Sequence, residues 1–395
     1  MNRPLQICMI GSGFHRPWIE GCASVAYNLA YALRRQASVS LISLVRADYF
    51  GFAKDGHEQN FQSIVYLNPL RVFGSARHRG EYCLTEKMLD AARIGSALKL
   101  LDSKHGIDIV HVHNVSHLMI SMLAKMLFKK SIVAHVYCVS YSPGDILARD
   151  FIDGYICTSK SSFSYLTDKG LTKEKVHVVP PIIDCNIYRP LNDVVVETRP
   201  NSQKSSFIVT YAGNIFPERF PPELLREIEK IADMGRNLEL RIYTPDTTWN
   251  RSIALRLKRS LSRFNIRSHL AITNLSENEK VRVYNASDVL IFPFRQMKRF
   301  SIVDPPLTVL ESMASGRIAI ASRVLSIPEV ISHGKNGFLV NPEDYEELAM
   351  TLKHVMDHFQ ELRYIESNAR ETIEMHYSPE LVSNRVMNIY KSALR

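Results

Sequence analysis

Between Asp304 and Pro342 the chain reads DPPLTVLESMASGRIAIASRVLSIPEVISHGKNGFLVNP, and this block restricts the possible fold more than any other. Pro305 and Pro306 end an irregular loop, and a helix opens at Pro306 or Leu307, with Leu307, Leu310, Met313 and Ala314 recurring at helical spacing. Ser315-Gly316 stops it, and Ile318 to Ala321 reads as a short buried strand. Ile327-Pro328-Glu329 and His333-Gly334-Lys335-Asn336-Gly337 then form a second turn system. Short apolar strands alternating with helices predict a parallel sheet, because parallel neighbours need a crossover between them. The first turn of the helix leaves backbone N–H groups unpaired at the positive end of its dipole, which suits an anion such as a diphosphate.

The same alternation runs along the whole chain. Strands are expected at Gln6–Ile10, Val39–Leu44, Ile64–Leu67, Ile107–His113, Ser131–Val136, Gly154–Thr158 and Val176–Val179. Helices are expected at Ala23–Arg35, from a cap at Thr85 through Leu101, and over the apolar run Leu118–Phe128. The polar stretch Asn192–Ser206 lacks periodicity and reads as a linker, and Phe207–Ala212 opens a second sheet. At 395 residues, two cores are expected. Gly11-Ser12-Gly13 does not complete a dinucleotide fingerprint, since Arg16 stands where the third glycine belongs.

The block Asp304–Pro342 resembles the retaining glycosyltransferases of the GT-B fold, family four (glycosyl transferases group 1), which include sucrose synthases and bacterial mannosyltransferases. Leu307, Leu310, Glu311, Met313, Ala314, Gly316, Glu329, Gly334, Gly337 and Val340 fall in register with that family's pattern. The resemblance is nearly full-length and implies an α/β, GT-B architecture: two facing Rossmann-like domains with parallel sheets and an interdomain cleft. It places an acceptor-side domain at 1–190, a linker at 191–206, a nucleotide-sugar donor domain at 207–375 and, at 376–395, a terminal helix crossing back to the first domain.

It also implies roles for residues. Gly213 matches the turn before the donor phosphates, with Asn214 where the family has arginine, Arg219 in place of its lysine and Phe220 in place of the next glycine. Arg219 keeps a cation for a diphosphate, and Asn214 offers hydrogen bonds without charge. The first turn at Leu307 and Thr308 would hold phosphate, and Glu311 the ribose hydroxyls. Gly21 keeps one of a usual glycine pair, and His113 matches the family's sugar-side histidine, while His111 reads equally well as a buried structural ring. The family's first glutamate falls at Val303, so Asp304, one residue later, is the candidate contact to the donor sugar.

The implied activity moves a sugar from a nucleoside-diphosphate sugar to a glycan or lipid-linked acceptor, with retention. No cofactor is expected, and no metal, because cationic side chains can take over an ion's role in stabilising the leaving phosphate. Two other classes stay open: a catalytically silent relative that binds a nucleotide sugar, and a GT-B-like sugar-nucleotide epimerase. The net charge of +9 favours the first half, which carries 21 basic and 15 acidic side chains over residues 1–185. Without basic runs interleaved with aromatics this argues against nucleic acid and is compatible with peripheral contact to an anionic membrane, through Arg71, Arg77 and Arg79 or Lys125, Lys129 and Lys130. Those lysines read equally as a solvated helix end. Six cysteines without metal-finger spacing, the lack of a spanning apolar run and an amino terminus that reads as a strand point to the cytoplasm, with contact at the inner membrane face.

Overall fold

Among the described residues every paired strand runs parallel to its neighbour, and parallel neighbours need a crossover connection, usually helical. The computed structural model describes residues 3–12, 14, 21–44, 61–67, 84–113, 117–137, 148–191, 206–296, 305–324 and 326–395. The chain divides into two compact units, Met1–Ile182 with Pro379–Arg395, and Ile183–Ser378.

The first unit holds strands β1 (Gln6–Ser12), β2 (Ser38–Leu44), β3 (Ser63–Leu67), β4 (Ile109–His113), β5 (Ser131–His135), β6 (Gly154–Cys157) and β7 (Val176–Val178), in the order β3-β2-β1-β4-β5-β6-β7. Its helices include α1 (Gly21–Leu33), α2 (Leu84–His105), α3 (His117–Leu123) and α4 (Lys160–Asp168). β4 and β6 are buried along their whole length, as strands covered on both faces must be. One core cluster joins α1 to one face of the sheet through Ile7, Met9, Leu29, Leu33 and Val133. A second joins α2 to the other through Cys8, Ile10, Leu98, Leu101 and Val110.

The second unit holds β8 (Phe207–Ala212), β9 (Leu238–Thr244), β10 (Arg267–Ile272), β11 (Val289–Phe292), β12 (Ile318–Ser322) and β13 (Phe338–Val340), ordered β10-β9-β8-β11-β12-β13. Around them lie α5 (Leu224–Asp233), α6 (Thr248–Leu261), α7 (Glu277–Asn285), α8 (Leu307–Ala314), α9 (Ile327–Val330), α10 (Tyr345–Asp357) and α11 (Arg363–Tyr377). The last helix, α12 (Pro379–Ala393), is built into the first unit: Val382, Val386 and Tyr390 enter the α1-side core, and Gln36 Nε2 donates to Ser383 Oγ at 3.0 Å.

Three local expectations are corrected. Thr85 does not cap α2, which begins one residue earlier and runs on to His105. The run Leu118–Phe128 is not one α-helix: it changes at Ala124 into a π-helical turn that ends at Lys129 in the left-handed region, φ 51°. Ile107 and Asp108 precede β4, because the Ile107 amide is taken by the Asp102 carboxylate at 2.8 Å.

Candidate functional site

In a doubly wound sheet the chain leaves a central strand in one direction and later departs in the other, and the loops between diverge at the strands' carboxyl ends. In the second unit that switch lies between β8 and β11, adjacent and parallel. Gly213 follows β8, and the segment entering α8 follows β11. The Gly213 amide donates to the Tyr243 carbonyl at 2.9 Å with φ +150°, and a Cβ there would lie 3.3 Å from the Tyr211 hydroxyl. That hydroxyl donates to the Asn214 carbonyl. Burial pushes the Tyr211 phenol far up its range, with Arg219 opposing the shift, so it stays a neutral donor bracing the turn.

Asn214 sits on this turn, but its side-chain oxygen already accepts from Asn250 Nδ2 at 2.9 Å. Asn250 is in turn placed in the first turn of α6, where its amide is capped by Thr247. Arg219 lies with its guanidinium carbon 4.6 Å from the ring centroid of Phe294, just past β11, so cation–π contact links the two sides of the switch point. Phe220 replaces the family's glycine because it is a core residue here, buried against Tyr211 with ring centroids 4.9 Å apart.

At the start of α8 the amides of Val309 and Leu310 turn back to the Pro306 carbonyl at 2.9 and 3.3 Å, and half-buried Leu307 and Thr308 form its first turn. Glu311 follows one turn later, 3% exposed. A carboxylate that deep needs partners. Tyr284 donates to its Oε2 at 2.6 Å and Lys280 Nζ to its Oε1 at 3.2 Å. Both come from α7, whose start is fixed by a reciprocal cap between Ser276 and Glu279. Burial raises the Tyr284 phenol well above its usual range and the Glu311 charge adds to the shift, so Tyr284 remains a donor. Each carboxylate oxygen retains acceptor capacity for a further hydroxyl.

The first unit's switch point lies between β1 and β4. His111 and His113 share a face of β4, and His135, opposite His113 on β5, joins them, all three buried. His111 Nδ1 lies 2.5 Å from the Tyr390 hydroxyl of α12, and His113 Nδ1 lies 2.7 Å from the Tyr137 hydroxyl. Gly11 leaves little room for a side chain at this spot, since a Cβ would lie 3.0 Å from His113 Cβ and 3.2 Å from its carbonyl oxygen. The trio's ring nitrogens lie within 4.8 Å of one another. The His111 and His135 planes are nearly parallel, 4° apart with ring centroids at 5.7 Å, and each of the three rings offers one nitrogen to the cluster.

Gly213, Asn214 and Arg219 are thus gathered on one turn, and Leu307, Thr308 and Glu311 on the first turns of α8, at neighbouring strand ends of one sheet. Gly21 opens α1, and His113 sits in the histidine cluster of the other unit. Asp304, Val303, Gly13, Arg71, Arg77 and Arg79, residues 192–205, Cys83 and Cys138 lie outside the described residues. Sequence reasoning missed His135, although SIVAH ends in a histidine just as IVHVH does. It also missed Lys280 and Tyr284, whose helical spacing of four is a signal, and Tyr390, 279 positions from His111, for which no local signal exists.

Comparison with known families matches residues 19–187 to the Glycosyltransferase Family 4 model and residues 206–358 to the Glycosyl transferases group 1 model. The two matches, one in each half of the chain, support a group 1 glycosyltransferase. The chain is 27% identical over 252 residues to an MMP alpha-(1->4)-mannosyltransferase of Mycolicibacterium hassiacum, a match covering 63% of this chain and 56% of that protein. It is 25% identical over 197 residues to a D-inositol 3-phosphate glycosyltransferase of Corynebacterium efficiens, covering 47% of this chain and 43% of the relative. The chain therefore spans about half the length of the curated relatives it matches. Among solved structures, a glycosyltransferase from Rickettsia africae superposes with TM-score 0.76 at 15% identity, covering 100% of both chains. Anabaena HepE in complex with UDP and glucose superposes with TM-score 0.73 at 17% identity, covering 98% of this chain and 100% of that one. These structural likenesses establish the GT-B fold of two Rossmann-like domains for this chain.

Proposed function

We propose that the protein transfers a sugar from a nucleoside-diphosphate sugar to a glycan or lipid-linked acceptor, with retention and without a metal ion. The observation that carries this is the second unit's switch point, where Arg219 and the first turn of α8 stand at the strand ends with the buried carboxylate of Glu311 behind them. Departure of a nucleoside diphosphate concentrates negative charge on phosphate, which the α8 amides, its dipole and Arg219 can meet. Glu311, hydrogen-bonded by Lys280 and Tyr284, has acceptor capacity left for the ribose hydroxyls. Asp304 is assigned to the donor sugar and His113 to the sugar side of the reaction. UDP-containing relatives make UDP-sugars the first donors to try, and the mannosyl- and inositol phosphate glycosyltransferases favour a polar, phosphate-bearing or glycan acceptor.

One observation favours a second reading, a silent nucleotide-sugar binder: Asn214 stands where the family has a cation and its oxygen is committed to Asn250. Incubation of the purified protein with a panel of nucleotide sugars and no acceptor separates the two. Slow release of nucleoside diphosphate supports the transferase, and saturable binding with no turnover on any donor supports the binder. Within the transferase reading, Asp304→Asn is expected to cut turnover far more than nucleoside-diphosphate binding. Equal losses in both would reduce Asp304 to shaping the loop. The chain is further proposed to act in the cytoplasm at the membrane's inner face.

A further inference from the structure

We propose that the first unit carries a membrane-docking face built from the outer side of α2 and the π-helical turn after α3, and that its partner is a bilayer surface bearing anionic lipid. The inference deepens the peripheral contact just stated and does not require the transfer reaction to be right.

Met126 and Leu127 are successive residues, 68% and 64% exposed, on a turn that points two large apolar side chains into solvent. The turn ends at Lys129, which takes a left-handed backbone conformation normally left to glycine, its amide bonded to the Ala124 carbonyl. A lysine is thereby set two residues from the apolar tip. On neighbouring α2, Leu89 and Leu100 are also exposed and lie eleven residues apart, three helical turns and so one face, with Met88 beside them. A surface helix ordinarily turns charged residues outward. Here the outward face mixes these apolar side chains with Lys99 and Lys104.

The charge pattern selects the partner. Asp90 is bound by Arg93, Asp102 by Lys130 at 2.7 Å, and Asp153 by Lys125 at 2.7 Å. Lys99, Lys104 and Lys129 enter no ion pair among the described residues, and the nearby exposed Asp150 lies 3.8 Å from Arg149. Exposed apolar side chains beside lysines that enter no ion pair among the described residues match the headgroup region of an anionic bilayer, where apolar side chains enter the interface and ammonium groups meet lipid phosphates. A second copy of the chain on the same face would set cation against cation.

Co-sedimentation of the full chain, without nucleotide or acceptor, with phosphatidylcholine vesicles and with vesicles also containing phosphatidylglycerol tests this. Binding is expected only with the anionic lipid and should weaken as salt rises. The triple variant Lys99→Gln, Lys104→Gln, Lys129→Gln should lower partitioning by about fivefold per lysine. The double variant Met126→Ser, Leu127→Ser should lower it while leaving its salt dependence in place, because only the inserted apolar term is lost. Binding unchanged in both variants, equal binding to neutral vesicles, or self-association through this face that the double variant abolishes would each overturn the proposal. Nucleoside-diphosphate binding measured on the same samples keeps the two readings separate: its absence counts against the donor site and leaves the vesicle result standing.

Discussion

Glu311 is the residue whose surroundings say most about its use, because a carboxylate 3% exposed is stable there only while its partners hold. Tyr284→Phe removes the donor to Oε2 and leaves an acceptor buried without it, a cost of about 1–3 kcal/mol. Nucleoside-diphosphate affinity, measured by titration calorimetry, should fall by about tenfold or more in this variant. Lys280→Met should reduce affinity as well, and Lys280→Arg should restore part of it, which a purely structural role for the cation would not require. For Arg219→Ala a loss of about 2–5 kcal/mol in donor handling with an unchanged far-ultraviolet circular dichroism spectrum is expected. Unaltered binding and rate in Arg219→Ala and Glu311→Ala would remove the proposed donor site.

At the scale of elements, both units place their candidate residues where the strand order reverses, β1 against β4 and β8 against β11. The first of these points is packed so tightly that a Cβ at Gly11 of β1 would press on His113 of β4 at 3.0 Å. Gly11→Ala should therefore shift His113 and lower turnover more than it lowers nucleotide binding, since the residues proposed for the nucleotide belong to the other unit. Equal kcat for Gly11→Ala and the parent would sever His113 from the reaction. α12 reaches the same cluster through Tyr390, so Tyr390→Phe tests whether the far end of the chain orients His111.

For the whole molecule, the response to alkali follows from its buried phenols. Tyr211, Tyr284, Tyr377 and Tyr390 are all raised by burial from a usual value of 10.0. Each stays protonated in the folded state to a higher pH than in the unfolded chain. Their contribution to stability is complete below pH 10 and is lost as pH rises through the folded values, by up to about 1.4 kcal/mol per pH unit for each phenol. Melting temperatures recorded from pH 8 to pH 11 should fall steeply above pH 10, and Tyr390→Phe should flatten that fall. A flat profile would mean the phenols are open to solvent.

What the sequence by itself determined was whatever depends on neighbours within a dozen residues. The alternation of buried strands and helices is written in the spacing of apolar side chains, and it sets two parallel sheets because no shorter connection can join parallel strands. The α8 block was legible for the same reason: two prolines, a helical stripe, a glycine stop and a five-residue apolar strand are local signals. Glu311 and Arg219 could be named from pattern, yet nothing local said that Lys280 and Tyr284 hold one and Phe294 lies under the other. Tertiary structure alone decided that Tyr390 would meet His111 and that α12 would belong to the first unit's core, because contacts between residues hundreds of positions apart leave no periodic trace. It also decided the break at Ala124, where an apolar run long enough for one helix ends in a π turn that leaves Met126 and Leu127 facing water.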